Sequence, residues 1–324
     1  MRGPAKAIAS PRTLTFVACA LAALLPLALA HLNGQVYWLF VIGEFFIYAV
    51  VAISLDLLMG RTGQISLGQS GFFAVGAYTA AILNARHGAD MLVATIAGGF
   101  VAALASLVLG FPAARLRGHY LGIVTFGYGI AVAQIALKWD ALTGGDQGIH
   151  LHPARLLGID VASPLRMYYV ALVALVVVSF LVWNLTRSRL GRAFAAVKDS
   201  ELAAAAMGVQ VARTKVLAFI CSAFLAGIAG GLYAFLTAFI APEDFGIEQA
   251  LLFFAMVVIG GMGSLPGAIG GALIVFSVQH AASTVSGLSL AILGAVIVVT
   301  ALFVPNGLRN VLTRLRGKRD EAPC

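Results

Sequence analysis

Long apolar runs separated by short polar segments are the main feature of this chain. A transmembrane helix needs about 20 consecutive apolar residues, and most of the runs approach that length. The pattern predicts about ten spans, over residues 13–30, 36–59, 70–86, 90–114, 119–138, 166–186, 214–240, 247–260, 267–283 and 287–304. The runs at 247–260 and 267–283 are short, and they form either two crossings or a re-entrant pair. We therefore predict an all-α polytopic membrane protein.

Composition supports this fold class, and the distribution of charge predicts its orientation. Hydrophobic residues make up 61% of the 324 residues and charged residues only 10%, which is more apolar than a water-soluble protein. If both termini are cytoplasmic, 17 of the 21 lysine and arginine residues lie inside, as the positive-inside rule requires. The net charge of +8 then indicates contact with membrane lipid and not with nucleic acid.

The N-terminal run admits two interpretations. A basic start, an apolar stretch and the sequence Ala28-Leu29-Ala30 are typical of a secretory signal peptide. The stretch is longer than the apolar region of most signal peptides, so we expect it to stay as a first span. Cleavage after Ala30 would leave the rest of the topology unchanged.

Residues 187–215 form a charged segment between two apolar runs, which we call the docking segment. Six of the basic residues lie here, and residues 193–207 favour a helix. Asp199 or Ser200 can cap a short second helix near Glu201, and Gly208 suits its C-terminal end. The segment predicts a helix that lies in a groove of a cytosolic partner, or alternatively a basic loop lying on anionic lipid.

The residues give little support to an enzyme or to an ion-coupled carrier. The chain has no phosphate-binding G-x-x-x-x-G-K-[ST] motif, no H-E-x-x-H motif and no paired cysteines. We therefore expect no catalytic residue, metal site or bound cofactor. An ion-coupled carrier needs several buried acids or bases, whereas Glu44 is the one acid well inside a predicted span. Glu44 either touches substrate or makes a structural hydrogen bond, and Asp56 is expected to pair with Arg61.

Two polar, glycine-rich stretches are candidates for the substrate path or its gate. Residues 60–71 (GRTGQISLGQSG) combine glycine with Gln64, Ser66 and Gln69 just before an apolar helix. Irregular backbone near a bilayer persists where it faces protein or water. The second stretch, residues 143–148 (TGGDQG), contains Gly145 and Asp146 and forms either a substrate entrance or an ordinary turn.

Four motifs in order resemble one family of bacterial transporters. The segments are LDLLMGRTGQISLGQSGFFAVGAYTAAIL, LTGGDQGI, the docking segment with the helix after it, and VVIGGMGSLPGAIGGAL, over residues 55–83, 142–149, 188–234 and 257–273. Over residues 40–308 the chain resembles the LivM-type permease subunit of ATP-driven (ABC) importers for branched-chain amino acids.

This resemblance implies a domain organisation and a set of partners. It implies a single permease domain over residues 1–308 and a basic cytoplasmic tail over 309–324, in a bacterial inner membrane that the chain crosses many times. ATP and Mg²⁺ would be bound by two cytosolic LivG/LivF-like subunits and not by this chain. A second, LivH-like permease and a periplasmic substrate-binding protein would complete the assembly.

The resemblance also places roles on particular residues. Glu201, Ala203, Ala204 and Gly208 align with the family's cytoplasmic coupling helix, with Arg192 and Asp199 beside them. Ala205 stands where related chains often have a second acid, so the charge on this helix is reduced. Leucine, isoleucine and valine are the leading substrates, while urea, short amides and aromatic acids are carried by similar permeases.

Overall fold

A computed structural model describes residues 34–113 and 119–282, together with the single positions 26 and 294, and these residues are mainly helical. The helices are α1 (Gln35–Thr62), α2 (Gln69–His87), α3 (Met91–Ala113), α4 (His119–Lys138), α5 (Asp140–Thr143), α6 (Pro164–Arg187), α7 (Arg189–Asp199), α8 (Glu201–Ala206), α9 (Val211–Thr237), α10 (Ile247–Gly260) and α11 (Leu265–Ala282). Short strands β1 (Ile149–His150), β2 (Arg155–Leu156), β3 (Ile159–Asp160) and β4 (Phe239–Ile240), and 3-10 helices Gly145–Gln147 and Pro242–Phe245, lie between them.

The helices match the predicted spans closely. Eight of the ten predicted spans fall on described residues, and each is a helix whose ends lie within three residues of the prediction. The spans at 13–30 and 287–304 lie outside the described residues. Among those described, six helices are long and apolar enough to cross a membrane, namely α1, α3, α4, α6, α9 and α11. An all-α polytopic membrane fold is therefore confirmed.

Local sequence explains where the helices begin and end. Gly63 and Gly88 follow α1 and α2 with positive φ angles of 71° and 60°, a conformation that closes a helix and that glycine adopts without strain. Ser163 caps α6 by accepting a hydrogen bond from the backbone N–H of Arg166, and Pro164 occupies the first helical position. These local signals mark the C-terminal ends of α1 and α2 and the N-terminal end of α6.

The connections gather at two opposite ends of the bundle. At one end, which we call the docking end, Lys198 Nζ donates to the Gly60 carbonyl at 2.7 Å and Gly263 N donates to Asp56. The other, the loop end, contains residues 139–163 and 238–246, where β1 pairs antiparallel with β4. Asn84 tethers this region because its Oδ1 accepts from His152 N at 2.7 Å.

Helix α9 runs through the centre and packs against α1, α2 and α3. Small residues allow the closest approaches: a β-carbon on Gly76 would overlap the backbone of Gly227, and one on Gly227 would meet Ala102 and the Gly98 carbonyl. Such contacts are typical of transmembrane helix interfaces, where backbones approach directly. The exterior is apolar, with exposed Phe100, Leu104 and Val108 along α3.

The short pair α10 and α11 passes from one end of the bundle to the other and returns. Before α10, Phe245 packs on Tyr78 with ring centroids 5.5 Å apart; after it, Gly263 contacts Asp56 at the docking end. At the far end of α11, His280 Nε2 lies 2.8 Å from the Tyr37 hydroxyl, near the start of α1. Within the described residues the pair therefore runs from the loop end to the docking end and back, and α11 alone of the two is among the six span candidates.

Candidate functional site at the docking end

The docking segment folds as two short capped helices. Ser188 Oγ accepts from Gly191 N at the start of α7, and Ser200 Oγ accepts from Ala203 N at the start of α8. Gly208 follows α8 with φ of 83°. Of the two predicted caps, Ser200 is the one used, and Gly208 ends the helix as predicted.

Helix α7 is held on the bundle by apolar packing and by one lysine. Phe194 and Val197 are buried, while Arg192 and Asp199 are exposed. The Lys198 side chain reaches the end of α1, where its Nζ donates to the Gly60 carbonyl and its stem lies against Gly63. A cation at a helix C-terminus interacts favourably with the unpaired carbonyls there. The position of α7 is therefore linked directly to α1.

Helix α8 is linked to α9 by an ion pair. Glu201 pairs with Lys215, whose side chain is only 4% exposed, and Ala204 packs inward. The Lys215 carbonyl also accepts a hydrogen bond from Gln64 Nε2 at 3.4 Å. Removing the Glu201 carboxylate would leave a buried ammonium group without this counter-charge, which is costly.

The outer face of α8 is apolar and exposed. Leu202 and Met207 are 79% and 84% exposed, and Ala203 and Gly208 are exposed beside them. Within the described part of the chain, no residue covers these two large apolar side chains. Of the predicted coupling residues, Arg192, Asp199, Ala203 and Gly208 lie on accessible surface, whereas Ala204 and the Glu201–Lys215 pair hold α8 in place.

Asp56 makes the second connection at the docking end. Its side chain is 1% exposed, and its Oδ1 accepts from Gly263 N at 2.6 Å. Gly60 is necessary here because a β-carbon at this position would overlap both Asp56 and Gly263. Arg61 and Lys198 lie close enough for their charges to act on the Asp56 carboxylate, but the hydrogen-bond partner of Oδ1 is the backbone of the α10–α11 loop. The sequence signal was a lone acid near the end of an apolar helix.

Gln64, Ser66 and Gln69 lie together between α1, α2 and α9 and are all buried. Gln69 Nε2 donates to Ser54 Oγ at 2.7 Å and to Ser222 Oγ at 3.1 Å. Gln64 Nε2 donates to Thr62 Oγ1 at 2.9 Å, and Ser66 Oγ accepts from Gly68 N. In this conformation the hydrogen bonds of these side chains link α1, α2 and α9. A role as a gate would require these hydrogen bonds to break.

The remaining predicted path residues lie away from the docking end. Gly145 is buried and Asp146 exposed in the 3-10 helix Gly145–Gln147, at the loop end. Glu44 is half-buried in the first half of α1, close to Tyr48 and Asp244. The structure therefore separates the predicted residues into a docking-end group and a loop-end group and does not gather them into one site.

These features define a class: a polytopic helical membrane protein with two short capped helices and an exposed apolar surface at one end. The chain belongs to the family described as "Branched-chain amino acid transport system / permease component", whose match covers residues 37–301.

Three relatives show the range of similarity. The high-affinity branched-chain amino acid transport system permease protein LivM of Escherichia coli K12 is 34% identical over 286 residues, covering 81% of this chain and 67% of the relative. LivH of the same system and strain is 25% identical over 244 residues, covering 70% and 79%. The autoinducer 2 import system permease protein LsrC of Escherichia coli DH10B is 28% identical over 174 residues, covering 52% and 49%. No solved structure gives a significant match.

Proposed function

We propose that this chain is the membrane-spanning permease subunit of an ATP-driven importer for branched-chain amino acids. Membership of the permease family carries this proposal, and the similarity to LivM and LivH, both from branched-chain amino acid systems, supports the substrate class. The exposed apolar face of α8 is the surface that such a subunit needs for a cytosolic partner.

In this proposal the docking end faces the cytoplasm and the loop end faces the periplasm. The chain then crosses the inner membrane ten times as a single domain over residues 1–308, with both termini and the basic tail 309–324 inside. The distribution of lysine and arginine supports this orientation because 17 of 21 fall on the cytoplasmic side.

The proposal includes a set of partners, which the similarity to LivM and LivH supports. Two cytosolic ATP-binding subunits supply ATP and Mg²⁺ chemistry, and one of them binds the face formed by Leu202, Ala203 and Met207. A second, LivH-like permease packs beside this chain, and a periplasmic binding protein delivers substrate to the loop end. This chain itself is a transport subunit and not an enzyme.

Two contacts connect the docking segment to α1 and α9, and a third connects α1 to the α10–α11 loop. Movement of α7 acts on α1 through the Lys198–Gly60 hydrogen bond, and movement of α1 acts on the α10–α11 loop through Asp56 and Gly263. Movement of α8 acts on α9 through the Glu201–Lys215 pair. Alternating access then arises from ATP-driven displacement of the docking segment.

Glu201→Lys and Gly208→Pro test this proposal. Glu201→Lys sets like charges against Lys215, and proline cannot adopt the positive φ of Gly208. We expect both variants to reach the membrane and to abolish leucine uptake, while Lys138→Glu, a charge reversal on an exposed residue at the loop end, retains it. Co-purification followed by mass spectrometry should recover two ATP-binding proteins and a second permease with the wild type. Normal uptake by both variants, or recovery of the chain alone with uptake driven by an ion gradient, would contradict the proposal.

A further inference from the structure

Aromatic residues from α1, α2, α9 and α10 meet in the half of the bundle nearer the loop end. The Tyr48 ring stacks near Tyr233 with centroids 6.2 Å apart and meets Phe253 edge-on at 5.4 Å. Phe73 lies 5.3 Å from both Tyr233 and Phe253. This arrangement makes an apolar wall with phenolic hydroxyl groups at its edge.

Two carboxylates border this wall. Glu44 lies one turn before Tyr48 on α1, and Asp244 belongs to the 3-10 helix Pro242–Phe245. The charges of the two acids act on each other, and Asp244 also acts on Tyr78 and Tyr233. Both acids are half-buried, so they lie at the border between the buried aromatic wall and the accessible surface. Asp244 Oδ2 accepts from Ala241 N at 2.9 Å, which fixes its orientation.

Two buried hydrogen-bond donors next to these acids have no partner among the described residues. Tyr78, only 6% exposed, has an unpartnered hydroxyl, and Gln249, 8% exposed, has an unpartnered Nε2. Tyr78 packs on Phe245 next to Asp244, and the Gln249 amide lies beside the Tyr48 hydroxyl. A buried donor without a partner costs about 1–3 kcal/mol, so a group that is retained in this state suggests a ligand that satisfies it.

We propose that Glu44, Asp244, Tyr78 and Gln249, with the aromatic wall, form a binding site for an apolar zwitterionic amino acid. The carboxylates accept hydrogen bonds from the ligand's ammonium group, and the Tyr78 hydroxyl and Gln249 Nε2 donate to its carboxylate. Tyr48, Phe73 and Tyr233 contact its apolar side chain, and their faces also favour a cation. Urea and short amides carry no ammonium group, so a carboxylate pair at this position selects against them.

The site is closed in this structure because the rings contact one another. Entry of a ligand requires the 3-10 helix Pro242–Phe245 and the start of α10 to separate from α1 and α2. These elements belong to the loop end, where the proposed function delivers substrate. The inference rests on that function, since it names the groups that receive an amino acid inside the permease.

Equilibrium binding separates this inference from the proposed function. The probe is radiolabelled leucine, and the sample is the complete permease–ATPase complex in lipid nanodiscs without the binding protein. Glu44→Gln and Tyr78→Phe are the test variants, because each removes one charge or one hydroxyl with little change of shape. Glu243→Gln, on the exposed neighbour of Asp244, is the matched control.

We expect Glu44→Gln and Tyr78→Phe each to weaken leucine binding at least about tenfold, as for loss of a hydrogen bond to a charged group, and Glu243→Gln to stay within about twofold. A purely structural Tyr78 hydroxyl would not produce this loss, since removing an unpartnered buried hydroxyl leaves the melting temperature unchanged or raised. In competition, 3-methylbutylamine and 4-methylpentanoate, which each keep one end of the zwitterion, should bind more weakly than leucine.

Several results would overturn the inference. Wild-type affinity in both test variants would remove these residues from the site, and displacement of leucine by ammonium chloride as effectively as by 3-methylbutylamine would assign the carboxylates to a bare cation. Leucine uptake with the binding protein present, but no leucine binding in its absence, would reject the site and leave the proposed function intact. Absence of leucine uptake by the wild-type complex would instead reject the proposed function.

Discussion

Replacing Asp56 by alanine isolates one contact between α1 and the α10–α11 loop. The substitution removes the acceptor for Gly263 N, a hydrogen bond of 2.6 Å at a side chain that is 1% exposed. It also removes the negative charge that faces Arg61 and Lys198. Asp56→Asn is the matched variant, because its amide oxygen can still accept from Gly263 N while the charge is lost.

The expected cost follows from these contacts. A buried N–H left unpaired costs about 1–3 kcal/mol, and loss of a buried side chain with its electrostatic partners adds about 1 kcal/mol. We therefore expect Asp56→Ala to destabilise the protein by about 2–4 kcal/mol and Asp56→Asn by about 1 kcal/mol. For a chain of this length the larger value corresponds to a fall in melting temperature of roughly 5 °C.

Two assays on the purified complex test this reasoning. Thermal unfolding in detergent should rank wild type above Asp56→Asn and Asp56→Asn above Asp56→Ala, with Glu243→Ala equal to wild type because Glu243 is exposed. In proteoliposomes, Asp56→Ala should hydrolyse ATP but import less leucine per ATP. Without the Asp56 hydrogen bond, movement of α1 is no longer transmitted to the α10–α11 loop. Equal melting temperatures for Asp56→Ala and wild type would show that the Asp56–Gly263 contact does not contribute this much to the free energy of unfolding.

Three further predictions concern orientation, packing and pH. In a cysteine-free background, Met207→Cys should react with an impermeant maleimide from the cytoplasmic side and be protected by the ATPase subunits, whereas Leu157→Cys should react from the periplasmic side; labelling from the reverse sides would refute the orientation. Gly76→Val should lower the amount of folded protein in the membrane, while Gly127→Val, where a β-carbon meets open space, should not; equal amounts would contradict the close packing. Burial raises the pKa of the Asp244 carboxyl, so its contribution to stability is complete at low pH and is lost as pH rises from about 4 through the folded-state pKa. Asp244→Asn should therefore flatten the fall in melting temperature over that range, and parallel curves would show that Asp244 does not titrate as described.

The sequence predicts those features that depend on neighbours along the chain. Apolar run length located eight described helices, and the serine and glycine at positions 200 and 208 located the ends of α8. These signals are local, since a helix forms and is capped by residues within a few positions. The family resemblance from four ordered motifs is confirmed by the match over residues 37–301.

Contacts between parts of the chain that are distant in sequence could not be predicted from these local patterns. Asp56 meets Gly263, more than 200 positions away, and nothing in the local pattern around either residue specifies the other. Gln249 likewise follows an ordinary helix start, and its place beside Tyr48 depends on how α10 packs against α1. The positions of Gln64 and Gln69 in a hydrogen-bonded junction, and not along an open path, also depend on the packing of three helices.

The backbone contact between Gly76 and Gly227 has a mechanical consequence. Where two helices touch through their main chains there are no side chains that can change rotamer, so the joint has little freedom to slide or tilt without separating. Helices α2, α3 and α9 should then behave as one stiff block during a transport cycle. The deformable regions are left at its perimeter, in the α10–α11 pair and in the segment before α10.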